Sequence, residues 1–264
     1  MRLILITLLV ATPAAAQDLF PRFSVTHGFY RATFSTDVRV DPEEQGLQGT
    51  AINIERDLGL QSGQQVGRFA VQWRPFQRHE IAYSRLSTSR DGFRAIDREI
   101  VFQDEIYPVQ ALVTTSVDLD SWDATYTFWA RRTDRNGAGI MLGVTGLSID
   151  SRLGARTPGQ SLTIEQRAAT DVPVAMIGAQ GRLALARRLY LSAAIATLPQ
   201  VDIDTYSGSA LSGTAAMEYL VARRLRLGLA WNYFSLDGRV DDPQFGGELG
   251  LTMSGAEAFV RVAF

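Results

Sequence analysis

The sequence predicts an all-β fold, a transmembrane antiparallel up-and-down barrel of about ten strands, on three observations. Stretches of ten or so residues alternate apolar with polar side chains, and they are separated in turn by short tight turns and by longer polar loops. After the first residues, no run approaches the ~18 consecutive apolar residues that a membrane-spanning helix needs. The last strand alternates to an aromatic end: Phe264, Val262, Val260, Ala258 and Ala256 share one face, and Ala263, Arg261, Phe259 and Glu257 the other. Without a spanning helix, a closed barrel is the architecture that satisfies every backbone group in lipid.

The N-terminus sets the compartment. Arg2 supplies a positive start, Leu3 to Val10 an apolar run too short to span a bilayer, and Ala14-Ala15-Ala16 a small-residue cleavage site before Gln17. Residues 1–16 are therefore expected to be a signal peptide, and residues 17–264 one barrel domain.

The strands follow in order. The first runs to about Val40, with Tyr30, Ala32 and Phe34 on one face, and Arg31, Thr33, Ser35 and Asp37 on the face read as luminal. A polar loop spans Asp41 to Gln64. The second strand places Phe69, Val71 and Trp73 outward and Arg68, Gln72 and Arg74 inward, then turns at Pro75-Phe76-Gln77-Arg78. The third rises through Ile81 and Tyr83, and its phase shift near Leu86 predicts a bulge or an exit from the membrane. Residues 98–109 read either as an extension of that strand to a hairpin or as a loop element; other readings give eight or twelve strands. The fourth descends through Trp122, Ala124, Tyr126 and Phe128 against Asp123, Thr125 and Thr127, and the fifth rises through Ile140, Leu142 and Val144 to a polar loop over 152–171. The sixth sets Ile177, Ala179, Leu183 and Leu185 against Gln180 and Arg182; the seventh carries Leu189, Leu191, Ala193 and Ile195. The eighth sets Leu211, Ala215, Met217, Tyr219 and Val221 against Ser212, Thr214 and Glu218. The ninth sets Leu225, Leu227, Leu229, Trp231 and Tyr233 against Arg226 and Asn232, and the tenth ends the chain. Trp73, Trp129, Tyr190, Tyr219 and Phe264 lie beside the short turns as an aromatic girdle, although alternation points Trp129 and Tyr190 inward.

Over the mature length the chain resembles Gram-negative outer-membrane β-barrels. Gly49 to Leu60, Arg74 to His79 and Ile100 to Pro108 resemble a group of small uncharacterised proteobacterial outer-membrane proteins. The resemblance implies an outer-membrane location, with long loops outside and short turns in the periplasm. It also implies a terminal strand, Val260, Val262 and Phe264, read as an assembly signal by the barrel assembly machinery. It implies no activity.

Composition limits the chemistry. There is no Cys, hence no disulfide, thiolate metal site or thiol nucleophile. All 26 basic residues are Arg, and a formal net charge of −2 argues against a nucleic-acid partner. Outer-membrane proteases of ten strands use acidic residues with a His at the extracellular rim, and lipid A deacylases a His two residues before a Ser. His27 precedes Gly28-Phe29 and His79 precedes Glu80-Ile81, and both map to the periplasmic half, so no enzyme is expected. The pairs Asp118/Asp120, Asp202/Asp204 and Asp241/Asp242 lack the Gly-punctuated loop of a calcium motif and read as solvated rim, so no metal and no cofactor is expected.

The informative set is the lumen: Arg31, Arg68, Arg74, Arg182, Arg226 and Arg261 beside Asp37, Glu80, Asp123, Glu218 and Glu257. Near-balanced charges in a narrow interior must pair. The expectation is a monomer in outer-membrane lipid and lipopolysaccharide, its lumen largely plugged by this network, with a structural or surface-interaction role. A narrow porin-like channel is the alternative if Gly143, Gly178 and Gly228 leave a water path along one wall, and an outer-membrane hydrolase is the third reading.

Overall fold

Alternation with a period of two makes each strand two-sided, and a sheet built from such strands hides one side by closing on itself. The structure, a computed structural model, describes residues 19–41, 49–102, 105–107, 109, 111–156, 163–203, 206–242 and 245–264. The expected signal peptide lies outside these residues. The described elements are β1 (Phe23–Val40), β2 (Ile52–Asn53), α1 (Ile54–Asp57), β3 (Gly63–Phe76), β4 (His79–Ala95), β5 (Ile100–Phe102), β6 (Glu105–Tyr107), β7 (Leu112–Arg132), β8 (Asn136–Arg156), β9 (Thr163–Ala184), β10 (Leu189–Ile203), β11 (Tyr206–Ala222), β12 (Leu225–Asp242) and β13 (Phe245–Ala263).

Ten long strands form a ring in the order β1-β3-β4-β7-β8-β9-β10-β11-β12-β13, and β13 returns to pair with β1 from Ser24↔Ala263 to Val40↔Gly247. Every pairing is antiparallel. The expected ten-stranded barrel is therefore observed. Pro75 and Pro199, which have no N–H to give a ladder, sit where the register slips, between Trp73 and Phe76 and between Leu198 and Val201.

The long strands run from 14 residues in β3 to 22 in β9, although about 9–11 suffice to cross a bilayer. The surplus stands at the long-loop end, and the outer wall records where lipid stops. Apart from His27 and His79 near the short turns, the outward residues of these strands are apolar up to Phe29, Tyr83, Trp122 and Tyr233, and then turn polar at Arg31, Arg85, Asp120 and Ser235. The Trp122 indole closes over Gly146 in the neighbouring strand, at the same border.

Four expectations are decided at and above that border. On β1 the assigned faces are reversed: Tyr30, Ala32 and Phe34 are buried inside, while Arg31 and Asp37 are exposed on the outer wall. The reason is position, since above the lipid the outer wall is wet and polar residues belong there. Near Leu86 the second of the two alternatives holds: β4 leaves the apolar belt, its outer face turning from Tyr83 to Arg85, its ladder with β3 ends at Arg68↔Leu86, and it keeps unbroken register with β7 from His79↔Phe128 to Ala95↔Leu112. For residues 98–109 the loop-element alternative holds: β4 ends at Ala95, and the segment carries a separate hairpin, β5 with β6. The polar stretch 152–171 is mostly strand, with Arg152↔Arg167 still paired, because long wet strands need no apolar outer face.

Candidate functional site in the barrel lumen

The inward faces fill the barrel in stacked layers. At the short-turn end, Leu19 and Phe20 enter the barrel mouth and pack with Trp129, Tyr190 and Leu220. Phe20 meets Trp129 edge to face, at 4.8 Å between ring centroids. Arg74 anchors this segment by donating to the carbonyl oxygens of Phe20 and Pro21. Trp129 and Tyr190 thus point inward as alternation requires, and each carries a guanidinium on its ring, Arg182 at 4.8 Å and Arg226 at 4.6 Å.

Above lies the charged layer. Arg182 donates to Glu80 at 2.6 Å, and Gln72 donates to the same carboxylate at 3.0 Å. Glu218 lies between two cations, Arg261 at 2.5 Å and Arg226 at 3.5 Å, and Arg261 also donates to Thr26. Glu257 receives Arg68 at 3.2 Å and the Asn232 amide at 2.8 Å. Gly28, having no side chain, leaves the space that the Glu257 carboxylate occupies. Arg68 also donates to Ser84, which donates to Asp123, and Thr145 donates to Asp123 from the other side. The structure thus brings together Arg68, Glu80, Asp123, Arg182, Glu218, Arg226, Glu257 and Arg261, with Arg74 just below. Arg31 and Asp37 stand apart on the outer wall, where Asp37 accepts from the Asn53 amide at 3.0 Å.

A cavity of about 250 Å³ opens in this layer, between Arg68, Asp123, Gly143, Ala194, Thr214 and Glu257. The other two glycines leave no path. The Phe259 ring fills the space over Gly228, and Ala196 with its neighbouring backbone fills that over Gly178.

The next layer is apolar. Tyr30, Phe34, Leu86, Leu119, Leu147 and Met253 meet in one cluster with inward residues of every other strand of the ring. Over it lies a cap. Ile52, Leu58, Ile96, Ile100, Ala111 and Val113 form a second cluster built from β2, the residue after α1, and the segments flanking β5 and β7. Asn53 caps α1 by accepting from the Arg56 N–H at 2.9 Å. Glu55, the second residue of α1, reaches into the wall, where it accepts from Arg90 at 2.7 Å and from the Thr36 N–H and hydroxyl at 2.7 and 2.9 Å. Arg90 also covers the Phe34 ring at 4.2 Å, joining cap to apolar layer.

The apolar layer and the cap were not expected. Their signal in the sequence is Ile52, Ile54, Leu58 and Leu60 within an otherwise polar loop, which cannot all be solvated at no cost. The acidic pairs form no cluster: Asp118 and Asp120 lie on the outer wall, where Asp120 meets Arg85 at 3.2 Å, and the side chains of Asp202, Asp204, Asp241 and Asp242 lie outside the described set. Among the described residues no three His, Asp or Glu side chains converge as metal ligands. His27 and His79 are on the outer wall near the short turns, with His79 bonded to the Tyr126 hydroxyl at 2.6 Å.

No family model and no curated protein match the chain. Among solved structures it is similar to the outer-membrane protease OmpT of Escherichia coli, with a TM-score of 0.57 and 12% identity over 92% of this chain and 96% of that one. It also matches Ail, the attachment invasion locus protein of Yersinia pestis, with a TM-score of 0.33 and 9% identity over 90% of this chain and 99% of that one. The toluene transporter TodX of Pseudomonas putida matches with a TM-score of 0.34 and 8% identity over 90% and 89%. The likeness to OmpT is one of fold, and with the closed ten-stranded ring and its apolar belt it makes the chain a transmembrane β-barrel of the outer-membrane kind.

Proposed function

We propose that the chain is a monomeric protein of the Gram-negative outer membrane whose lumen is closed and which acts, without catalysis, as a structural or surface-interaction barrel. In this reading the short turns are periplasmic, and the strand extensions and cap stand outside the cell among lipopolysaccharide. The terminal strand, with Val260, Val262 and Phe264, is the element recognised by the barrel assembly machinery. The observation that carries the reading is the succession of the Phe20/Trp129 plug, the ion-paired layer, the apolar layer and the Glu55-latched cap across one bore. Water and ions crossing it meet an apolar constriction, which excludes them by dewetting. The outward, short-turn position of His27 and His79 supports the non-catalytic part, since neither can act as a base at the exposed end.

Planar bilayers with purified protein test the closure: the expected record is flat, and clear single-channel steps would overturn it. The cavity of about 250 Å³ in the charged layer favours one second reading, a narrow channel for small hydrophilic solutes that opens when the cap and apolar layer part. In that case steps appear once the cap is loosened by Arg90→Ala and are absent in the unaltered protein.

A further inference from the structure

The formal charge is nearly neutral, yet its distribution is not. At the short-turn end, Arg22, Arg78, Arg131, Arg135, Arg187, Arg188 and Arg223 are all exposed, with no ion pair among the described residues, and Asp134 is the acidic residue found in the same turns. Water and salt screen these exposed charges from one another, and what the ring presents is a positive surface complementary to a polyanionic one beside it. The ring stands immediately below the aromatic residues Trp73, Phe76, Tyr219 and Phe264, which mark the level of the lipid headgroups.

One sector adds a place for the tails. Above the β9–β10 turn (Arg187, Arg188) and the β11–β12 turn (Arg223), the outer wall holds an apolar groove of about 530 Å³ walled by Leu183, Leu191, Met217, Leu229 and Trp231. From Arg188 to Ala193 at the groove floor is five residues, or about 17 Å along the strand. With strands tilted by about 35–45°, that is about 12–14 Å along the membrane normal, within the ~15 Å depth of one hydrocarbon leaflet, so the groove lies alongside acyl chains anchored at those arginines. The wall between, through Leu189, Leu191, Met217 and Tyr219, is apolar throughout.

We propose that this sector binds anionic phospholipid of the periplasmic leaflet, with the phosphate held by Arg187, Arg188 and Arg223 and an acyl chain seated in the groove. Guanidinium groups suit this ligand because they fork onto phosphate oxygens and remain charged at every relevant pH. The inference rests on the barrel's insertion in a membrane, and the test separates the two. Full-length protein is first floated with zwitterionic phosphatidylethanolamine vesicles, and failure to float overturns insertion itself. Protein that floats is taken from mixed micelles of phosphatidylglycerol and phosphatidylethanolamine into native mass spectrometry, where retained lipid is counted. Phosphatidylglycerol is expected to be retained over phosphatidylethanolamine by roughly tenfold or more at low salt, falling as salt screens the arginines. R187E/R188E/R223E removes that preference, A193F/A215F lowers retention of both lipids, and R78E, on the far side of the rim, changes little. Heat-modifiable migration verifies that each variant is folded. Equal retention of the two lipids by the unaltered protein, or a dimer that A193F abolishes, overturns the proposal, the latter because a second copy then occupies the groove.

Discussion

Glu55 reaches down from the cap to meet Arg90 in the barrel wall at 2.7 Å, with the two side chains left 7% and 1% exposed. A pair so withdrawn from water stabilises weakly as a whole but is costly to break from one side, because the survivor keeps its desolvation penalty and loses its partner. Arg90→Ala is therefore expected to lower unfolding stability by about 3–5 kcal/mol, read by denaturant titration followed by tryptophan fluorescence. Glu55→Gln keeps a hydrogen-bonding group near Thr36 and should cost less. Both variants should expose the segment 49–62 to protease while the barrel stays folded. Unchanged cleavage there in Arg90→Ala would show that the apolar cluster alone holds the cap.

The charged layer distinguishes breaking a pair from removing one. Glu218 neutralises Arg261 and Arg226 together, so Glu218→Leu leaves two guanidiniums without that carboxylate and is expected to cost about 3–5 kcal/mol. Replacing both members of the Arg182–Glu80 pair, as R182M/E80M, removes the charges in concert and should lie within about 1–2 kcal/mol of the parent. The two variants are compared by guanidinium unfolding, and equal destabilisation would mean that net charge in the lumen matters less than packing around Trp129 and Phe20.

Much of this layer was legible in the sequence, and the reason is local. On β12 and β13, Arg226, Glu257 and Arg261 are flanked on both sides by Leu, Ala or Val, and on β3, β9 and β11, Arg68, Arg182 and Glu218 share their strand phase with Gln72, Gln180 and Thr214, so alternation alone puts them inside. On β1 the same rule put Arg31 and Asp37 inside, because alternation gives the period and not the sign. The sign comes from the depth at which lipid stops, just past Phe29, and no single strand reveals that depth. The apolar layer was illegible for the matching reason: Tyr30, Phe34 and Leu86 look lipid-facing until the wall outside them is known to be wet. Glu55 was hidden in a loop because its partner Arg90 is on another strand, and only the closed ring brings them together.

The cap also carries a pH dependence. Asp57 lies outside the membrane belt, and its carboxyl is held below the ordinary range, first by the hydrogen bond from Arg56 and then by the Asn53 N–H and the Arg98 charge. A carboxyl depressed in the folded state contributes stability above its unfolded pKa of about 4, and this contribution is lost as pH falls through the folded value. Backbone hydrogen exchange at Asn53, whose N–H donates to Asp57 at 3.0 Å, should therefore be constant above about pH 5 once the intrinsic rate is removed, and lose protection below pH 4. Asp57→Asn should flatten that profile. Because the group is partly exposed, the effect is local opening of the α1 segment and not global unfolding.

Phe264 closes the seam of the ring. Its N–H donates to the Phe23 carbonyl at 2.8 Å, and its own carbonyl accepts from the Arg22 and Phe23 N–H groups at 3.0 and 3.2 Å. Its ring lies 6.2 Å from that of Phe23, with Arg224 over it at 5.2 Å, on the outer wall at the short-turn rim. Removing the residue leaves the last rung of the β13–β1 pairing without acceptors or an aromatic anchor, and an open seam in lipid exposes backbone groups that have no other partner. Phe264→Asp adds a charge at the same depth. Both changes are expected to reduce several-fold the heat-modifiable, membrane-inserted fraction of the protein, while Phe264→Trp, which keeps an aromatic at the interface, restores most of it. Wild-type levels of folded, inserted protein from the deletion would show that the other rungs of the β13–β1 pairing, from Ser24↔Ala263 upward, suffice to close the barrel.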